Sequence, residues 1–121
     1  MKKVLIVEDE DMIANALKVS LEAEGFIVFV GKNGIEGLEY ARREKPDLIL
    51  TDIIMPQMDG KEMLQEMRKD EKLRNIPVVV LTNVDDDVET IAQVFQHTPD
   101  YLVKANTPVG DVVARVKTYL D

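Results

Sequence analysis

Short apolar runs alternate with longer amphipathic segments along the chain. The runs cover residues 4–7, 27–30, 48–50, 78–81 and 101–103. They are mostly Val, Ile and Leu and largely lack the alternation of apolar and polar residues that marks a strand with one face in water. They therefore predict five strands that are covered on both faces.

Five other segments repeat apolar residues at helical spacing. The repeats are Ile13, Ala14, Leu17 and Leu21; Ile35, Leu38 and Ala41; Met63, Leu64 and Met67; Val88, Ile91 and Val94; and Val112, Val113, Val116 and Leu120. Asn33 with Glu36, and Asp59 with Glu62, have the spacing of capping boxes. Strict alternation of strands and helices predicts an α/β domain with right-handed crossovers and a parallel five-stranded sheet between two helical layers.

Composition narrows the class of protein. The 121 residues suit one domain over residues 1–121, and 15 Lys and Arg against 23 Asp and Glu give a formal charge of −8, which would repel nucleic acid. The absence of Cys excludes a disulfide scaffold, a thiolate nucleophile and a Cys-ligated metal. The first apolar run of the chain is too short for a signal peptide. No apolar run approaches the roughly 18 residues of a membrane span. We expect a cytoplasmic domain without membrane attachment.

Polar residues cluster at the carboxyl ends of the predicted strands. Glu8 and Asp9 follow the first strand, Asp52 follows the third, Thr82 ends the fourth and Lys104 follows the fifth. In open parallel sheets, ligands bind at this edge, where the strand order reverses. Four strands therefore deliver two or three acids, one hydroxyl and one ammonium to one place.

These residue types suit phosphoryl transfer. Clustered carboxylates need either protons or a hard cation, and oxygen ligands without His or Cys favour Mg²⁺. A cation and the Lys104 ammonium beside Asp52 would stabilise a phosphoryl group, and the Thr82 hydroxyl can donate to it. Asp52 is then the candidate nucleophile. Taken singly, Asp9 or Glu10 could instead cap the next helix, and Lys104 could be a solvated loop residue.

The segments that carry this chemistry resemble a known family. "VLIVEDE", "LILTDIIMPQMDG", "VVVLTN" and "YLVK" are similar to the receiver domain of two-component response regulators, and the resemblance covers essentially the whole chain. Thr82 lies 82 − 52 = 30 positions after Asp52, and Lys104 lies 104 − 52 = 52 positions after it, as in that family. The chain fits a single-domain regulator or a receiver excised from a longer protein.

The resemblance implies a flavodoxin-like, doubly wound (βα)5 three-layer sandwich with strand order 2-1-3-4-5. It implies phosphorylation of Asp52 to 4-aspartylphosphate and a Mg²⁺ ion held by Asp9, Asp52 and the backbone carbonyl of Ile54. Glu8 would act through water or from behind the direct ligands. Lys104 and Thr82 would assist at the phosphoryl group, and the family's switch pair would be Thr82 and Tyr101.

The resemblance also implies partners. The phosphodonor would be a phosphohistidine on a sensor histidine kinase or a histidine phosphotransfer protein. The surface of the fourth helix, fifth strand and fifth helix would then control a downstream partner or output domain. Family members that dimerise through the fourth helix commonly use its Lys and Arg, and residues 85–100 contain neither. We therefore expect no phosphorylation-dependent dimer through this helix, and we expect a monomer when the chain is unphosphorylated.

Some positions depart from the family pattern. Ala105 follows Lys104 where the family usually has Pro, and Asn83 is larger than the small residue common after the switch threonine. These two departures leave a second interpretation open, a pseudo-receiver that binds partners without phosphorylation. A phosphatase or dehalogenase would need a second Asp two residues after Asp52, where this chain has Ile54.

The resemblance implies that two positions, which vary within the family, control how fast the phosphoryl group is lost. Ile54 and Val84 lie two residues after the acceptor and two after the threonine, where polar groups in other members can orient the attacking water. The apolar residues here predict slow loss of the phosphoryl group.

Overall fold

A computed structural model of the chain describes residues 1–53, 55–82, 100–103 and 107–120. The strands are β1 (Lys3–Val7), β2 (Ile27–Gly31), β3 (Leu48–Asp52), β4 (Val78–Thr82) and β5 (Asp100–Val103). The helices within the described ranges are α1 (Asp11–Ala23), α2 (Gly34–Glu44), α3 (Gly60–Arg68) and the C-terminal helix (Val109–Leu120). The predicted fourth helix, with Val88, Ile91 and Val94, lies outside the described residues.

The strands form one parallel sheet with the predicted order β2-β1-β3-β4-β5. The doubly wound fold is therefore confirmed. β1 and β3 are the neighbouring strands whose order reverses, since β2 lies beyond β1 and β4 lies beyond β3. Val7, the last residue of β1, lies opposite Thr51, so the residues that follow in each chain segment, Glu8 and Asp52, come to the same level of the sheet edge.

The sheet separates two apolar cores because successive strand residues face opposite sides. Leu5 and Val7 belong to the core beneath α2 and α3, which also contains Ile49, Met63 and Leu64. The other core lies beneath α1 and the C-terminal helix, with buried members that include Val4, Ile6, Leu17, Leu50 and Val113. No helix in the described ranges combines the length and apolarity needed to cross a bilayer.

The buried face of α2 differs from the prediction at one residue. Ile35 is 42% exposed, whereas Gly37, Leu38 and Ala41 are buried. A Cβ atom at Gly37 would lie 2.7 Å from the Sδ atom of Met63 and 2.9 Å from a methyl of Val7. The helix therefore approaches its neighbours through a glycine, a close contact that apolar periodicity does not reveal, and Ile35 turns away.

Met63 should be a large contributor to stability because it is fully buried between α2 and the sheet. We expect Met63→Ala to lower the free energy of unfolding by about 2–5 kcal/mol, the usual effect of deleting a large buried side chain. Urea denaturation would measure this difference. Gln65→Ala, an exposed change on the same helix, is the control and should have almost no effect. Equal losses in the two variants would contradict the packing described here.

Candidate functional site

Three carboxylates meet at the carboxyl ends of β1 and β3. Glu8, Asp9 and Asp52 each offer one oxygen, and these oxygens all lie within 4.8 Å of one another. Glu8 is 0% exposed and Asp52 is 3% exposed, whereas Asp9 is open to solvent. The prediction that the acids after two separate strands would converge is therefore correct for all three residues.

Two hydrogen bonds hold Glu8 in the segment between β1 and α1. Its N–H donates to the carbonyl of Gly31 over 2.9 Å, which continues the pairing of β1 with β2 beyond the strands. Its Oε1 atom accepts a hydrogen bond from the N–H of Glu10 over 3.2 Å. Glu10 is the N-cap residue of α1, and its own side chain makes no capping bond. Glu10 therefore takes the capping position that the local alternative allowed, but without a side-chain capping bond.

Asp52 is the last residue of β3, rather than the residue after the strand as the sequence suggested. Its Oδ1 atom accepts a hydrogen bond from the N–H of Ile53 over 2.8 Å, which fixes the orientation of the carboxylate. The carbonyl of Asp52 accepts from the Thr51 hydroxyl over 2.8 Å. Asp52 is thus held at the end of a buried strand, with two other acids beside it.

The segment after Asp52 returns tightly to the start of α3. The N–H of Gly60 donates to the carbonyl of Ile53 over 2.6 Å, and Asp59 caps α3 by accepting from the N–H of Glu62 over 2.8 Å. A Cβ atom at Gly60 would lie only 2.1 Å from the carbonyl oxygen of Asp52. Sequence reasoning gave Gly60 no role; its place directly after a capping Asp was the available signal.

The cluster suits Mg²⁺ on the chemistry of its donors. All three side chains supply hard oxygen atoms, which is the ligand type that Mg²⁺ prefers. Three carboxylates at this separation repel one another, so a divalent cation between them would relieve an unfavourable charge density. The exposure of Asp9 would give a cation access from solvent.

The other predicted site residues lie on β4, on β5 or outside the described residues. Thr82 ends β4 and follows Leu81, which lies opposite Asp52, so its backbone reaches the same edge of the sheet. Tyr101 lies in β5 opposite Val80. Lys104 and the backbone carbonyl of Ile54 lie outside the described residues. The roles of these four residues stay predictions.

Comparison with known proteins decides the family. The sequence model described as "Response regulator receiver domain" matches residues 4–117. The chain belongs to the response regulator receiver domains. Such receivers are the signalling phosphoacceptors of two-component regulatory systems, and the family's acidic pocket binds Mg²⁺.

Full-length regulators and solved receivers are similar to this receiver domain. The alkaline phosphatase synthesis transcriptional regulatory protein PhoP of Bacillus subtilis is 35% identical over 119 residues, which cover 98% of this chain and 48% of that protein. The transcriptional regulatory protein AfsQ1 of Streptomyces coelicolor is 35% identical over 104 residues, which cover 86% of this chain and 45% of that protein. The chain thus spans about half the length of the curated relatives it matches.

Among solved structures, the BeF3-activated N-terminal receiver domain of Klebsiella pneumoniae RstA superposes with a TM-score of 0.83 at 30% identity, covering 98% of this chain and 97% of that one. The receiver domain of a signal transduction histidine kinase from Syntrophus aciditrophicus has a TM-score of 0.85 at 31% identity, covering 99% and 90%. Receivers from a regulator and from a kinase therefore share this fold.

Gly60 should be sensitive to the smallest substitution because backbone atoms surround it. We expect Gly60→Ala to lower the free energy of unfolding by about 1–3 kcal/mol, as overpacking does. Gly110→Ala in the C-terminal helix is the matched control, since a Cβ atom there meets nothing within 4 Å. It should raise stability by about 0.5–1 kcal/mol because Ala favours helix over Gly. Urea denaturation of both variants measures the contrast, and a stable Gly60→Ala protein would contradict the close approach to Asp52.

Proposed function

We propose that this receiver accepts a phosphoryl group on Asp52 in a Mg²⁺-dependent reaction. The carrying observation is the cluster of Glu8, Asp9 and Asp52, whose oxygens lie within 4.8 Å at the switch point of a parallel sheet. An isolated acid as buried as Asp52 would be costly, whereas an acid beside a cation and a phosphoryl group has a chemical use.

The chemistry assigned to each residue is specific. An oxygen of Asp52 attacks the phosphorus of a phosphohistidine, so that a P–O bond forms, the P–N bond breaks and the released imidazole keeps its electron pair and takes up a proton. The hydrogen bond from the Ile53 N–H holds the carboxylate in a fixed orientation for this attack. Asp9, Asp52 and the backbone carbonyl of Ile54 would hold Mg²⁺, with Glu8 acting through water, and the bound ion would neutralise charge on the phosphoryl oxygens.

The remaining residues take part in signalling in this proposal. The Lys104 ammonium and the Thr82 hydroxyl contact the phosphoryl oxygens, and Thr82 with Tyr101 transmits the change to the surface that includes β5 and the C-terminal helix. A sensor histidine kinase or histidine phosphotransfer protein is the donor. The phosphorylated surface is recognised by a downstream protein or by an output domain. The curated relatives, which are named as transcriptional regulators, support this proposal. The cytoplasmic location and the unphosphorylated monomer stay predictions.

Beryllofluoride, an analogue of the phosphoryl group, tests the proposal without a known kinase. With Mg²⁺ present, we expect binding detected by ¹⁹F NMR and shifts of the backbone amides of Thr82 and Tyr101, because the analogue attaches to the acceptor carboxylate. Asp52→Asn should abolish both signals. Asp59→Asn makes the same chemical change in the same loop but keeps a good N-cap, so it should bind like the unaltered protein.

Intact mass completes this test. Incubation with a matched histidine kinase should add about 80 Da, the mass of one phosphoryl group. Asp52→Asn should show no such addition. A folded protein that binds no beryllofluoride and gains no mass would instead be the pseudo-receiver that Asn83 and Ala105 allow, and the proposed phosphotransfer would be wrong.

The phosphoryl group should be lost slowly once formed. The side chains of Ile54 and Val84 have no polar atom that could orient the attacking water, so self-catalysed hydrolysis lacks a positioned nucleophile. We expect the Mg²⁺-bound phosphoprotein to persist for minutes or longer in a phosphate-release assay, and Ile54→Asn to shorten that time. Release from the unaltered protein within seconds would contradict this expectation.

A further inference from the structure

The start of α2 contacts the middle of the loop that joins β3 to α3. The side-chain amide Nδ2 of Asn33 donates to the Oε1 atom of Gln57 over 3.1 Å. The backbone N–H of Gly34 donates to the carbonyl of Met58 over 2.7 Å. Two consecutive residues of one element therefore bind two consecutive residues of another.

This contact leaves little freedom on the side of Asn33 and Gly34, whereas Gln57 is exposed. Oδ1 of Asn33 accepts from the N–H of Glu36 over 3.0 Å as the N-cap of α2, so the amide nitrogen must point the other way, toward Gln57. Asn33 is buried, with 8% exposure. A Cβ atom at Gly34 would lie 2.6 Å from the carbonyl oxygen of Met58, so only glycine permits this approach.

The loop that receives this contact is the one that leaves Asp52. It starts at Ile53, and the hydrogen bond from the Gly60 N–H to the Ile53 carbonyl closes its two ends. Gln57, in its middle, has φ 65°, a left-handed backbone conformation that a residue with a side chain adopts only when its surroundings hold it there. The contact from Asn33 lies at this position.

We infer that Asn33 is a positioning residue for the phosphorylation site. Through Gln57 it holds the loop whose first residue, Ile53, donates its N–H to the Asp52 carboxylate and so orients that metal ligand. The inference rests on the proposed function, in which Asp52 binds Mg²⁺ and the phosphoryl group. Groups that orient metal ligands from behind tune metal affinity because a preorganised ligand needs no rearrangement when the ion binds.

Asn33→Ser separates this role from capping. Serine keeps the N-cap of α2, but its side chain is too short to reach Gln57. We expect the dissociation constant for Mg²⁺ to rise about three- to tenfold in an NMR titration, the range for losing one positioning hydrogen bond. Amide hydrogen exchange at Gly34 should become faster in the same variant, because the neighbouring contact with Met58 loses its support.

A pair of acid substitutions gives a stricter test. In Asn33→Asp the Gln57 amide can rotate and donate, and in Gln57→Glu the Asn33 amide still donates, so each single variant keeps the bond. The double variant N33D/Q57E has two acceptors facing each other and cannot form it. We expect each single change to alter the Mg²⁺ dissociation constant by no more than about twofold, and the double change to raise it at least about fivefold.

The direction of the double-variant effect is decisive. Two added negative charges near a cation site would by themselves tighten cation binding, so weaker binding would mean that the loop is displaced once the contact is lost and the two carboxylates repel each other. If the unaltered protein binds Mg²⁺ and beryllofluoride, and Asn33→Ser and N33D/Q57E bind Mg²⁺ as tightly as the single-acid variants, the inference is wrong and the proposed function stands. If the unaltered protein binds neither ligand, the proposed function is wrong and the inference falls with it. Should Asn33→Ser fail to fold, the acid series alone decides.

Discussion

The crowding of negative charge between two neighbouring strands is the constraint on which this molecule depends. β1 and β3 are mostly apolar, yet β1 leads directly into Glu8 and β3 ends at Asp52, at the same level of the sheet. Register alone brings Glu8 beside Asp52, because Val7 lies opposite Thr51. The two apolar cores hold the strands in that register and so hold the carboxylates together against their repulsion. The hydrophobic effect in this way offsets the mutual repulsion of the carboxylates.

Much of the fold could be predicted from the sequence. Short apolar runs and helical repeats indicate strands and helices wherever burial dictates the residue type, as in β1 and α3. The alternation of these elements then restricts the topology to a parallel, doubly wound sheet. The three acids could be predicted for the same reason, because residues that follow parallel strands must meet at one edge. This part of the site is a consequence of topology, and topology follows from patterns along the chain.

What the sequence could not reveal depends on contacts between distant residues. Ile35 fitted the helical repeat but is exposed, because α2 approaches its neighbours through Gly37. Asn33 was correctly predicted as a cap, and its cap bond also determines which atom of its amide faces Gln57. The position of Gly60 after a capping Asp was visible in the sequence. The need for glycine there comes from the carbonyl oxygen of Asp52, which only the folded chain brings near. Each of these features depends on two residues that are distant in the sequence, so the pattern of residue types along the chain does not reveal it.

The position of Asp52 within its strand limits how the molecule can respond to modification. Asp52 is paired in register with Leu81, and the preceding Thr51 is paired with both Val7 and Val80. If a bulky anion were attached at this point, β3 could not move aside without breaking several hydrogen bonds to its neighbouring strands at once. Accommodation would then fall on the connecting segments at the rim. Because the central strands are rigid, a modification at Asp52 would change the conformation of loops at the protein surface, where another molecule can bind.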